Sequence, residues 1–244
     1  MGSYRQQFTI EPTAVDRYKR LKISMLLLYV QEISGHHSDE LGQTYAGLAQ
    51  RGLFWAVIRN RVQITRLPVE GETITLETWP MPTTRAAYPR ATAAYDAEGK
   101  EIFRCTSLWV LMDIASRAMI LPGKSGVEVP GVLRGNELAA PKSLMPKELR
   151  EKVFRKVCFT DLDCNGHMNN ARYLDWVADL LPSEFHREHP VQEFTLCYLN
   201  ESLEADALDV NWEMDDTGTL NVDIHRGKGD GDHDRIFAAR ISYM

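Results

Sequence analysis

Three side chains able to do acid–base and hydrogen-bond chemistry recur at every second position of one short stretch: Asp163, Asn165 and His167. A carboxylate, an amide and an imidazole can together move a proton, orient a polar group and polarise a carbonyl. Alternate residues of an extended segment point the same way, so this spacing predicts that all three face one pocket. Behind them Asn169 or Asn170 offers a helix N-cap. Tyr173, Trp176, Val177, Leu180 and Leu181 then recur at three- and four-residue spacing, which predicts a helix over 170–181 with one buried stripe. A polar loop capping a helix would account for one of the three polar groups. Three different hydrogen-bonding types on one face favour a reactive site.

The same stretch, Asp161-x-Asp163-x-Asn165-Gly166, copies the opening of a calcium-binding loop. Counted from Asp161, the twelfth position is Arg172, where a bidentate glutamate is required. A cation at a ligand position argues against calcium, and 153–159 reads as a strand rather than a flanking helix. No metal is expected. Cys105, Cys158, Cys164 and Cys197 show neither CxxC pairing nor zinc-ligand spacing and suit a reducing compartment. Cys164 and Cys197 are expected to be buried structural thiols.

The elements that must position these groups belong to an ordinary globular chain. Its 244 residues, 44% apolar and 25% charged, allow one large domain or two small ones. A formal net charge of -6 argues against general nucleic-acid binding. No apolar run approaches the roughly 20 residues of a membrane span. No signal-peptide core is legible, and a cytoplasmic location is expected.

A strand at 8–11 precedes a helix over 21–38, whose middle turns are apolar nearly all round, as in a buried helix. His36 and His37 at its end fit a polar helix terminus, where positive charge is favoured. Strands follow over 54–66, 72–79, 85–96 and 101–113. The third and fourth are joined by the turn signal Asp96-Ala-Glu-Gly99. Residues 72–79 alternate strictly, as in a half-buried strand. Residues 122–149 are rich in Pro and Gly and read as a linker or long connection. After it the order repeats: a strand at 153–159, a helix, and strands at 193–199, 208–214, 220–225 and 235–243. Trp79 and Trp212 fall at nearly the same spacing as Ile102-Phe103 and Ile236-Phe237, as a duplication requires.

An antiparallel sheet with one apolar face can be covered by one long apolar helix. The expected fold is therefore α+β, a tandem (double) hotdog, each half a curved antiparallel sheet wrapped around a long buried helix. Residues 1–121 form the first repeat, 122–149 the linker and 150–244 the second repeat. The βαβ alternation of a dinucleotide-binding fold is missing, and Gly227-Lys-Gly-Asp-Gly231 falls in a polar hairpin or loop between strands.

The motif Asp163-x-Asn165-x-His167-x-Asn169-Asn170-x-x-Tyr173-x-x-Trp176 resembles the signature of the fatty acyl-ACP thioesterases, plant and bacterial. The segments 23–38, 53–57 and 107–113 resemble that family's first repeat, so the resemblance covers nearly the whole chain. It implies hydrolysis of fatty acyl-ACP to free fatty acid and ACP, with no cofactor. It also implies a tandem hotdog, and two chains that can associate as a homodimer. No plastid transit peptide is legible, which implies a bacterial-type protein. The family's active-site Asp, Asn and His carry over as Asp163, Asn165 and His167, and its later acidic residue as Glu201. Ser202 stands where many members have Cys, which departs from a cysteine-nucleophile mechanism.

By the same resemblance the acyl chain lies in the first repeat, with Met25, Leu28 and Tyr29 as candidate lining residues. ACP is acidic, so an acidic enzyme needs local basic charge to receive it. Lys147, Arg150 and Lys152 are the docking candidates, with Arg85, Arg90 and Arg104 as others. Asp163 with Glu201 would activate water, or Asp163 would attack directly. Asn165 would meet the carbonyl and His167 would orient or protonate. Backbone N–H groups at the helix start near Asn170 would complete an oxyanion site. The alternatives are an acyl-CoA thioesterase of the same fold, a hotdog dehydratase on 3-hydroxyacyl-ACP, and a non-catalytic acyl-thioester-binding hotdog protein.

Overall fold

A computed structural model describes residues 2–227 and 233–244. Most of the glycine-rich run 227–231 therefore lies outside the described residues. The chain folds as two compact units, Met1–Pro141 and Lys142–Met244.

The first unit runs β1 (Tyr4–Thr9), α1 (Ile23–Glu40), α2 (Tyr45–Gln50), β2 (Leu53–Ile64), β3 (Thr73–Pro80), β4 (Tyr88–Tyr95), β5 (Glu101–Asp113), β6 (Met119–Ile120) and α3 (Pro122–Ser125). Its strands lie in the order β1-β3-β4-β5-β2, each antiparallel to its neighbour, with the two-residue β6 beside β5. Helix α1 buries Leu26, Leu27, Val30, Ile33, Ser34 and His37, one stripe at helical spacing. Met25, Leu28 and Tyr29 stand on its half-buried flank. The β4–β5 hairpin turns at Gly99, whose φ of 78° is in the left-handed region, and Asp96 accepts the Lys100 N–H at 2.8 Å.

Strand β3 departs from its expected half-exposure, since Leu76, Glu77, Thr78, Trp79 and Pro80 are all buried. The second face is covered by the Pro- and Gly-rich connection. The Arg134 guanidinium lies 4.2 Å over the Trp79 ring and pairs with Glu77 at 2.9 Å, while the Trp79 indole donates to Glu137 at 3.1 Å. The Asn136 and Leu138 carbonyls accept from Arg104 and Thr106 of β5 at 2.7 and 2.6 Å.

His37 departs more sharply from its expectation as a polar helix end. It is 1% exposed, and its Nδ1 accepts from the Arg90 guanidinium at 3.0 Å. Burial, then the Arg90 charge, lower its pKa to about 4, so it is neutral. Arg90 is itself buried, which removes it from the docking candidates.

The second unit runs β7 (Glu151–Lys156), α4 (Arg172–Ala178), α5 (Ser183–Glu188), β8 (Val191–Tyr198), β9 (Ala207–Met214), β10 (Thr219–Gly227) and β11 (His233–Tyr243). Its order, β7-β9-β10-β11-β8, repeats the first unit's order strand for strand. Trp79 and Trp212 fall on the equivalent strands β3 and β9, and Ile102-Phe103 and Ile236-Phe237 on β5 and β11. The architecture is the tandem hotdog, with the second helix shorter than expected. The predicted helix over 170–181 stops at Ala178, and Pro182 stands at the N-cap of α5. Proline lacks a backbone donor and disfavours helical geometry in the residue before it. The predicted stripe is kept in α4, where Tyr173, Leu174, Trp176 and Val177 are buried.

Candidate active site

The motif does not stay extended. After β7 the chain makes a 3-10 turn at Phe159–Asp161, and Leu162 and Met168 then form an isolated antiparallel bridge. Residues 163–167 reverse direction between them. The Asp163 N–H donates to the His167 carbonyl at 2.8 Å, and Gly166 sits at φ 79°. The Asp163 carboxylate closes the turn, with Oδ1 accepting the N–H groups of Asn165 at 2.8 Å and His167 at 3.3 Å. Alternation therefore does not bring the three groups together. A side-chain-capped turn instead sets the Asp163 carboxylate beside the Asn165 amide and against the His167 backbone N–H, because an Asp carboxylate can replace a backbone acceptor and glycine tolerates positive φ. The Asn165 amide nitrogen stands 3.5 Å from Asp163 Oδ2.

Glu201 arrives from beyond β8. The backbone of His167 bridges Leu203, and the Met168 N–H donates to the Ser202 carbonyl at 2.8 Å. This contact between distant segments sets His167 Nε2 3.4 Å from Glu201 Oε2, with the two side chains 22% and 44% exposed. Arg226 of β10 supports the segment from the other side. Its guanidinium donates to the Glu201 carbonyl at 3.3 Å and to Asp206 at 2.7 Å, while the Asp206 carboxylate also accepts the Leu203 N–H at 2.9 Å. The arrangement joins a partly exposed imidazole–carboxylate pair to a turn carrying an exposed amide. Such a pair can hold a water, take its proton and return it to a leaving group.

The remaining expectations divide. Ser202 is 1% exposed and its hydroxyl accepts from the Tyr173 hydroxyl at 3.0 Å. Burial raises the Tyr173 pKa to about 12, so Tyr173 stays a donor. Two of the backbone N–H groups at the helix start are engaged locally: the Ala171 N–H donates to the Asn169 side chain and the Arg172 N–H to the Asn169 carbonyl, both at 2.9 Å. Cys197 is buried as expected, whereas Cys164 is exposed because it lies on the outside of the turn. Arg172 pairs with Asp175 at 2.9 Å. Among the described residues no group of three or more His, Cys, Asp or Glu side chains could hold a metal ion.

In the first unit, the Tyr29 ring packs 4.9 Å from Phe8. Burial, then the charges of Glu32 and Glu11, raise its pKa. Each of the three main docking candidates has an internal partner: Lys147 donates to Asn221 at 2.9 Å, Arg150 pairs with Glu213 at 3.1 Å and Lys152 with Asp209 at 2.9 Å, while Arg85 is exposed. Arg104 pairs with Glu101 at 2.6 Å. Sequence reasoning missed Arg226 and the hydroxyl of Tyr173. Tyr173 showed only as a member of the buried stripe, and no local pattern marks Arg226.

The acyl-ACP thioesterase N-terminal domain model matches residues 2–121, and the acyl-ACP thioesterase C-terminal domain model matches residues 146–238. The chain is 25% identical over 234 residues to the chloroplastic palmitoyl-acyl carrier protein thioesterase of Gossypium hirsutum, a match covering 90% of this chain and 57% of that protein. It thus spans little more than half the length of the curated relatives it matches. In fold it is similar to an acyl-ACP thioesterase from Bacteroides thetaiotaomicron, with a TM-score of 0.84, 22% identity and coverage of 99% of this chain and 98% of that one. It is also similar to the 12:0-ACP thioesterase from Umbellularia californica, with a TM-score of 0.81, 22% identity and coverage of 99% and 97%.

Proposed function

The chain belongs to the acyl-ACP thioesterase family, and from that premise we propose that it hydrolyses the thioester of fatty acyl-ACP, releasing free fatty acid and ACP. The observation that carries this reading is the His167–Glu201 contact at 3.4 Å beside the Asp163 turn. His167 and Glu201 hold the attacking water and take its proton. The Asn165 amide donates to the thioester carbonyl oxygen. The water oxygen bonds to the carbonyl carbon, the carbon–sulfur bond breaks with its electron pair leaving on sulfur, and the proton held by His167 and Glu201 passes to the thiolate. Asp163 orders the turn through Oδ1. Direct attack by its other oxygen, through an anhydride, is the competing step, and oxygen-18 from labelled water retained in Asp163 after turnover would identify it.

The acyl chain is assigned to 1–121, with Met25, Leu28 and Tyr29 as lining residues, and the chemistry to 150–244. Docking of acidic ACP at Lys147, Arg150 and Lys152 requires exchanging internal contacts for the carrier. A cytoplasmic homodimer is part of the same proposal. Relatives are named for both palmitoyl and 12:0 carriers, so no chain length follows from them. Thiol release by folded Asp163→Ala and His167→Ala variants tests the site. Each should lose on the order of 10²–10³ in rate, and wild-type turnover in both would discard the assignment.

A further inference from the structure

We propose that Ser202 and Tyr173 are positioning residues that hold Glu201 against His167. This rests on the reading of Glu201 and His167 as the water-activating pair. Glu201 and Ser202 are adjacent but turned to opposite sides: the Glu201 side chain is 44% exposed, whereas Ser202 is 1% exposed. The buried residue holds the exposed one through two contacts. The Ser202 carbonyl accepts the Met168 N–H at 2.8 Å, one residue beyond His167. The Ser202 hydroxyl accepts from the Tyr173 hydroxyl at 3.0 Å, which ties the segment to α4. Glu201 is therefore one peptide unit from a junction that also carries His167.

The other end of the tether is fixed. The Tyr173 ring stacks on Phe237 of β11 at 4.7 Å and 14°, and meets Tyr198 of β8 edge-on at 6.1 Å and 64°. The Tyr198 hydroxyl donates to the Asn170 carbonyl at 3.2 Å, just before α4. Tyr173 is 3% exposed, and its packing against Phe237 and Tyr198 sets where its hydroxyl stands. With its oxygen buried and accepting from tyrosine, Ser202 is poorly placed to attack substrate. A buried hydroxyl pair adds little net stability, because both groups bond to water in the unfolded chain. Displacing a reacting group by about 1 Å, by contrast, can cost on the order of 10² in rate. The contact matters more for geometry than for folding.

The test is steady-state thiol release from acyl-ACP as a function of pH, for Ser202→Ala, Tyr173→Phe, their double variant and Ser202→Cys, with Glu201→Gln in parallel. Ser202→Ala and Tyr173→Phe should each lower kcat by about 10- to 100-fold, with KM within about twofold. Each should displace a limb of the pH–kcat profile as the His167–Glu201 contact loosens. The double variant should be no worse than the poorer single one, since both remove the same contact. Ser202→Cys, which keeps a weak acceptor in place, should recover most of the loss. If Tyr173→Phe and Ser202→Ala lower Tm but keep the wild-type kcat and pH profile, Ser202 and Tyr173 are structural only and the proposal is overturned. Glu201→Gln separates the two ideas. Wild-type turnover there defeats the site reading itself. An inactive Glu201→Gln beside wild-type kinetics in Ser202→Ala and Tyr173→Phe defeats only the tether.

Discussion

Lowering the pH should destabilise the first unit through one buried imidazole. His37 is 1% exposed and its Nδ1 accepts from Arg90 at 3.0 Å, so a proton on that nitrogen would break the contact. Burial and the Arg90 charge bring its pKa from the ordinary 6.5 to about 4. A pKa depressed in the folded state means that the unfolded chain binds the proton first. Stability is then fully present above about 6.5 and is lost as the pH falls toward about 4. Between about pH 7 and about pH 4.5, a group with those two pKa values costs about 2 kcal/mol. His37→Gln cannot titrate yet keeps an acceptor for Arg90. Urea unfolding of wild type and variant at matched pH isolates the imidazole, because the carboxylates common to both cancel. Wild type should lose about 2 kcal/mol more than the variant over that interval. A difference between the two that stays constant with pH would refute the reasoning.

Other perturbations probe the connection, the turn and the carrier surface. Glu77 is 3% exposed. Burial opposes its ionisation, but hydrogen bonds from Arg5, Ser3 and Arg134 outweigh it and hold the carboxyl at about 2. Glu77→Gln should cost about 2–3 kcal/mol near neutral pH, and wild type should lose this advantage as the pH falls from about 4.5 to about 2; equal denaturant midpoints near neutrality would dismiss the clamp. Gly166→Ala meets no atom within 4 Å but strains a φ of 79°, so it should cost about 1 kcal/mol and slow thiol release. Unchanged stability and rate would mean that the turn does not need glycine. Charge reversal of Lys147, Arg150 and Lys152 should raise the KM for acyl-ACP at low salt, and an unchanged KM in folded protein would end the docking assignment.

Much of the framework was legible because it rests on local periodicity. Strand β5 runs from Glu101 to Asp113 as its apolar pattern indicates, and the stripe of α1 follows helical spacing. The duplication, readable only in a few matched residues, reappears as the same strand order in both units. What failed depended on tertiary partners. His37 looked like a polar helix end because its burial, and its partner Arg90 on β4, are set by tertiary packing. The alternation of β3 suggested one wet face, but Arg134 and Glu137 cover it. At the motif, period-two reading overrode a turn signal also present in the sequence, Asp163-x-x-Gly166. Glu201 carried no local signal, and only the family resemblance singled it out before the bridge between His167 and Leu203 brought it to the imidazole.

The most direct measurement is thiol release from a ladder of saturated acyl-ACPs, with the matching acyl-CoAs in parallel. Turnover on acyl-ACP should outpace that on acyl-CoA at the same chain length, and the ladder then reports the preferred length. Release from acyl-CoA alone would contradict the carrier. No release from either, with acyl-thioester still bound tightly, would contradict catalysis itself.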